Sequence, residues 1–237
     1  VGDPILWQNS TTSYAHDPAL DALVAEKLTQ EIRAAKADAD LAETLSDAAK
    51  LAHSKDVRRW NFETAGDADS RVFRFPTSIT QDSVSAVIDT LSRWDRLDVD
   101  KPERTYELYL TSPGGNIMPG VSLYNFLVRL ARNRPLVTVA SGFCASMATV
   151  IHQAGTTRLI EAGTSYLIHD ASTSAYGDVS SLRDTAEWIE RINKDLHSFL
   201  ARRSTLSVEE IADKSKRKDW TLTAEQTVEF GFADGLI

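Results

Sequence analysis

The chain holds one cysteine, Cys144, and two methionines in 237 residues. A single thiol excludes an intramolecular disulfide framework and a multi-cysteine zinc site. Long apolar runs are missing as well. None approaches the roughly 20 residues that span a bilayer, and no signal-peptide pattern opens the chain. A cytoplasmic protein with no membrane partner is the expectation. Basic residues are in deficit, with 26 Lys and Arg against 34 Asp and Glu and a formal net charge of −8. Such a balance lacks the basic footprint that displaces counterions from nucleic acid, so no nucleic-acid partner is expected.

What is present is enough length to bury a sizeable core, as one domain with an appendage or as two small domains. Residues 1–70 carry 7 basic and 13 acidic side chains, whereas the remaining 167 carry 19 and 21. The net charge is thus concentrated in the first third of the chain. This division predicts an acidic extension and linker over 1–70, ahead of a second domain over 71–237. In the extension, Leu20, Leu23, Val24, Leu28 and Ile32 share one face at helical spacing. They predict a helix from about Asp17 to His53, Ala-rich and with a thin apolar stripe. Residues 61–70 read as the linker.

Beyond Arg71 the texture alternates. Strands are predicted at Val72-Phe73, over 106–112 and 136–143, and in the short runs 158–163 and 165–169. Helices are predicted over 77–97, along Val121 to Leu130, over 145–155, 178–203 and 207–216, and after Thr223. Strands alternating with helices imply a layered α/β domain with crossover connections.

Three places carry side chains or backbone suited to chemistry. Ser146 stands at a strand-to-helix junction among Cys144, Ala145, Met147 and Ala148. A hydroxyl projecting from such a turn suits nucleophilic attack. Small residues there more often serve tight helix–strand packing. Ser112-Pro113-Gly114-Gly115-Asn116 closes a strand, and its amides are placed to stabilise an oxyanion or simply to make a Pro-Gly turn. Gly114, Ile117 and Met118, in and just after this turn, are the candidate substrate contacts. His169 ends the strand Ser165–Ile168 and suits a general base at a cleft rim, or a plain strand end. His16, His53, His152 and His197 lie in less suggestive contexts.

Taken in order, Ser112-Pro113-Gly114-Gly115, Ala145-Ser146-Met147, Ala154-Gly155 and Leu167-Ile168-His169 resemble the ClpP family of serine proteases. That family has a strand ending in N-S-P-G-G, a nucleophile in A-S-M-G, an A-G pair and a base in M-I-H-Q-P. The stretch Leu222-Thr223-Ala224-Glu225 to Gly231-Phe232-Ala233-Asp234 is similar to its F-L-S-A-x-E-A-x-x-Y-G-L-V-D ending. The resemblance covers about 71–237 and implies a spiral ClpP/crotonase-type α/β fold of repeated β-β-α units with a long handle helix. It implies that Ser146 is the nucleophile and His169 the base. The same resemblance implies Asp219 as the third member, with Asp213 as fallback, and assigns the oxyanion hole to the N–H groups of Gly115 and Met147.

Further implications are a homo-oligomeric ring with an internal chamber, polypeptide substrates, no metal or other cofactor, and an AAA+ unfoldase partner. The acidic extension has no counterpart in the ordinary family pattern. It leaves room for a phage prohead protease acting on capsid proteins. Two other readings are a non-proteolytic assembly protein and a crotonase-like acyl-CoA enzyme on the same fold. Three departures stand out. Ala148 replaces a glycine, His-Asp-Ala replaces His-Gln-Pro, and the Ser146–His169 interval is about two residues short. The shortening is expected at a hairpin-like turn around Thr156-Thr157.

Overall fold

The computed structural model describes residues 66–75, 77–216 and 218–237, with isolated helical positions between Glu26 and Glu43. Those positions apart, the helix expected over 17–53 lies outside the described residues. Two compact units divide the chain, Val1–Val57 and Arg58–Ile237, and the second holds the sheet and every candidate site residue.

β3 (Tyr106–Ser112) and β4 (Leu136–Ala145) are the spine of a mixed sheet, rich in Val, Leu and Tyr and largely buried. Residues 66–67, expected as linker, form a two-residue strand β1 (Gly66–Asp67), antiparallel to β2 (Val72–Phe75). From β2 the pairing is parallel through β3, β4 and β5 (Thr157–Ile160) to β8 (Gly235–Leu236). Parallel neighbours need crossovers, and helices supply them. α1 (Gln81–Leu97) links β2 to β3, and α2 (Ile117–Leu130) links β3 to β4. α3 (Met147–His152) links β4 to β5. The Thr156-Thr157 position is consequently a helix-to-strand turn rather than a hairpin. β4 and β5 run parallel, so the chain must cross over between them.

Helix boundaries follow local chemistry. Thr80 caps α1 by accepting from the Ser83 N–H, and Ser83 returns the bond. Val84, Val87, Leu91 and Trp94, three to four apart, form its buried face. At its far end Asp98 is buried and takes a bidentate contact from Arg71 at 2.7 and 2.9 Å. Arg104 and the Tyr106 hydroxyl also donate to it. These partners hold the Asp98 carboxyl well below the usual carboxylate range, the Arg71 hydrogen bonds contributing most.

One deviation in the sheet redirects the strand that leads to Ser146. β4 pairs β5 through Val137–Ala140, then meets Gly142 at a φ of 64°. Past that residue, Phe143–Ala145 pair instead with β6 (Ser165–Ile168). β6 in turn pairs antiparallel with β7 (Trp220–Leu222). A glycine tolerates this φ without a side-chain penalty, and it splits one strand between two neighbours. The remaining helices are α4 (Val179–Ala201), α5 (Val208–Ser215) and α6 (Ala224–Glu229).

Candidate active site

Strand register brings Ser146, His169 and Asp219 together. Ala145 is level with Leu167 across β4 and β6, and Ile168 with Trp220 across β6 and β7. Extending each strand by one residue puts Ser146 beside the end of β6 and His169 opposite Asp219. Ser146 N–H donates to the Leu167 carbonyl at 2.8 Å. Asp219 Oδ1 lies 3.3 Å from His169 Nδ1. A carboxylate at that nitrogen favours the tautomer with the proton on Nδ1, leaving Nε2 as the acceptor.

Ser146 sits at φ 55° and ψ −127°, a region that residues other than glycine seldom occupy. Such strain costs on the order of 1–3 kcal/mol and needs support from its surroundings. Its N–H is held by Leu167, and its carbonyl accepts from both the N–H and the hydroxyl of Thr149. Ser146 and His169 line one small pocket, about 30 Å³, together with Ile117, Asn193, Leu196 and His197. No hydrogen bond joins Ser146 to His169 among the described residues. Catalytic hydrogen bonds are commonly long before substrate binds.

Gly114 and Gly115 have φ of 90° and 147°. Ile79 donates its N–H to the Gly114 carbonyl and accepts from the Asn116 N–H, each at 2.8 Å. That parallel bridge leaves the Gly115 N–H outside the ladder. A Cβ on Gly114 would lie 2.6 Å from the Ser146 Cβ and 2.7 Å from the Ala145 oxygen, so this backbone rests directly against the serine. Met147 N–H opens α3, where no intrahelical acceptor exists for it. Ile117 lines the pocket, and Met118 is exposed.

The other candidates separate. Asp213 is on α5 and lines a different groove with Glu190 and Lys194. Asp170 meets His197 of α4, at 3.3 Å from Nε2. Cys144 is fully buried and its thiol is pushed up by burial. His152 is also buried, with Nε2 3.0 Å from the Leu159 carbonyl, and burial lowers it to about 4. Residues that the sequence pattern did not single out are Asn193, His197 and Ser215, which close around the segment just after His169. The signal was the i, i+4 pair Asn193 and His197 on a helix whose pattern is otherwise plainly amphipathic.

Fold and site together describe a crossover-connected α/β protein with an enzyme-like pocket where its strands end. The chain belongs to the Clp protease family, whose model matches residues 63–237. It is 33% identical over 138 residues to ATP-dependent Clp protease proteolytic subunit 3 of Rhodococcus jostii, covering 57% of this chain and 67% of that protein. To the ATP-dependent Clp protease proteolytic subunit of Ligilactobacillus salivarius it is 29% identical over 169 residues, 70% of this chain and 83% of that one. Subunit 2 of Tropheryma whipplei is 32% identical over 140 residues, 58% and 76% of the respective chains. Among the described residues no helix is long and apolar enough to cross a membrane.

Proposed function

We propose that the chain is a serine endopeptidase with Ser146 as nucleophile, His169 as general base and Asp219 orienting the imidazole. The observation that carries this is the strained Ser146, held in one pocket with a histidine whose Nδ1 faces a carboxylate. Ser146 Oγ attacks the scissile carbonyl carbon while His169 Nε2 takes the hydroxyl proton. The carbonyl electron pair moves onto oxygen, where the Gly115 and Met147 N–H groups donate to it. Collapse expels the amine, which takes the proton from His169. Water then attacks the acyl-enzyme by the same route and regenerates Ser146.

An extended substrate fits by strand addition, with Gly114, Ile117 and Met118 as its contacts. Assembly into a ring with an internal chamber is supported by large apolar side chains exposed at and near the start of α4. Tyr176 is 92% and Val179 72% exposed, and Leu182 and Trp188 are also uncovered. Relatives named ATP-dependent proteolytic subunits support an ATPase partner. The acidic segment ahead of the matched region is then an extension carried by a ClpP/crotonase-type spiral domain.

The test is covalent labelling with a fluorophosphonate. Wild-type protein is expected to label once per chain and Ser146→Ala not at all, and persistent labelling of Ser146→Ala would sink the assignment. Light scattering is expected to give a multi-subunit particle. A monomer at every concentration would remove the chamber.

A further inference from the structure

The candidate base is held by little of its own. His169 is 37% exposed and its partner Asp219 67%. Its placement therefore depends on the backbone beyond Ile168, which has no regular structure until α4 begins. That backbone is gripped from one face of α4. Asn193 Oδ1 accepts the Ala171 N–H at 2.7 Å. One turn on, His197 Nε2 lies 3.3 Å from Asp170 Oδ1. Residues i and i+4 share a helix face, so a single stripe of α4 holds both residues next to His169.

The third member comes from the other side. Ser215, the last residue of α5 and four before Asp219, has its hydroxyl 3.2 Å from His197 Nε2. It is completely buried. Its one proton has its shortest acceptor in the Ile211 carbonyl, at 2.9 Å. Ser215 Oγ then accepts, and Nε2 must be the protonated nitrogen of His197, facing the hydroxyl and the Asp170 carboxylate together. Burial favours the neutral ring here, with Asp170 working against it, and lowers the His197 pKa.

Although serine, histidine and aspartate are all present, this is not a second nucleophilic relay. A relay places carboxylate and hydroxyl on opposite ring nitrogens. Here both lie on the same one, and the hydroxyl is sealed from solvent. A buried histidine merely finding partners leaves unexplained why two side chains of one α4 stripe hold the two residues after His169.

We infer that Asn193 and His197 are positioning residues, a two-point clamp from α4 that sets the His169 backbone against Ser146, with Ser215 tying the clamp to the segment carrying Asp219. The inference rests on the reading of Ser146, His169 and Asp219 as the active site. Asn193 supplies an acceptor and His197 a donor, so the two positions have opposite requirements. Asp retains the function at 193, and Gln retains it at 197.

The experiment uses the full chain. Fluorogenic-peptide kinetics and fluorophosphonate labelling rates are measured for Asn193→Leu, Asn193→Asp, His197→Leu and His197→Gln, with melting temperature and particle size for each. The Leu variants are expected to lose roughly 10- to 100-fold in kcat, the scale of a small misplacement of a reacting group, with KM changed less than about 2-fold. Asn193→Asp and His197→Gln are expected to stay within about 3-fold of wild type, on the principle that an interaction preserved costs little. Asn193 is only half-buried, so it carries the test where His197→Leu fails to fold.

Leu variants with unchanged kcat, or a loss that follows melting temperature and is not rescued, would overturn the clamp. A readout independent of turnover is the NMR signal of the His169 ring in the Ser146→Ala background. It is expected to shift in both Leu variants and return in the Asp and Gln variants. An unmoved ring signal overturns the clamp even where activity is absent. Labelling of Ser146→Ala, by contrast, overturns only the nucleophile assignment.

Discussion

At Gly114 the chain passes so close to Ser146 that a methyl group has nowhere to go. Its φ of 90° is one that side chains avoid, and an added Cβ meets backbone at 2.7 Å rather than a movable side-chain tip. Gly114→Ala is therefore expected to push the 113–116 turn away from Ser146. Peptide turnover should fall by about 10²-fold or more, the scale of losing one oxyanion donor, and acylation rates measured by fluorophosphonate check it. Retained turnover would mean the turn lies outside the reaction. That Ser146 and His169 share a pocket was legible because each sits in a short ordered motif, and the nearness of Asp219 to His169 from its place just ahead of the Leu222–Glu225 stretch. Asn193 and His197 were not, because their work depends on which residues α4 faces, and the amphipathic stripe of one helix does not encode that. Asp170, adjacent to His169 in sequence, is turned toward a helix residue distant in sequence.

Among elements, β2 to β6 and the helices between them followed from period and propensity. β7 did not. Trp220–Leu222 is too short to display alternation, and it becomes a strand only because β6 offers an edge. The division of β4 at Gly142 was likewise invisible, since a glycine in a strand does not announce a change of neighbour. Both features matter for the site, because they set the register that brings His169 to Asp219.

The junction of α1 with β2 and β3 depends instead on Asp98. Removing it strands a buried Arg71 guanidinium and leaves the Tyr106 hydroxyl short of its acceptor. Asp98→Ala is expected to destabilise the domain by about 3–5 kcal/mol, the cost of breaking a buried pair from one side. Urea titration with fluorescence detection measures this, and a change below about 1 kcal/mol, the range of surface pairs, would show the cluster to be dispensable.

For the molecule as a whole, acid has a defined point of attack. His152 is buried and neutral with a folded pKa of about 4, against an ordinary histidine value of 6.5. Between those values the unfolded chain binds a proton that the native one refuses. This contribution is complete above pH 6.5 and is lost progressively as pH falls from 6.5 to 4, amounting to about 3 kcal/mol at the lower end. Thermal melts across that window are expected to show a falling midpoint that is largely flattened in His152→Gln. An equal slope in both proteins would assign the acid sensitivity elsewhere.

Cys144 offers a different view of the same sheet. It is the sole sulfhydryl of the chain, fully buried, with its ionisation suppressed, two residues ahead of Ser146. A thiol so placed is silent in the folded molecule and answers an alkylating reagent only when the packing over β4 opens. Its modification rate is therefore a clock for the opening of the strand that carries the serine, with no second thiol to blur the reading.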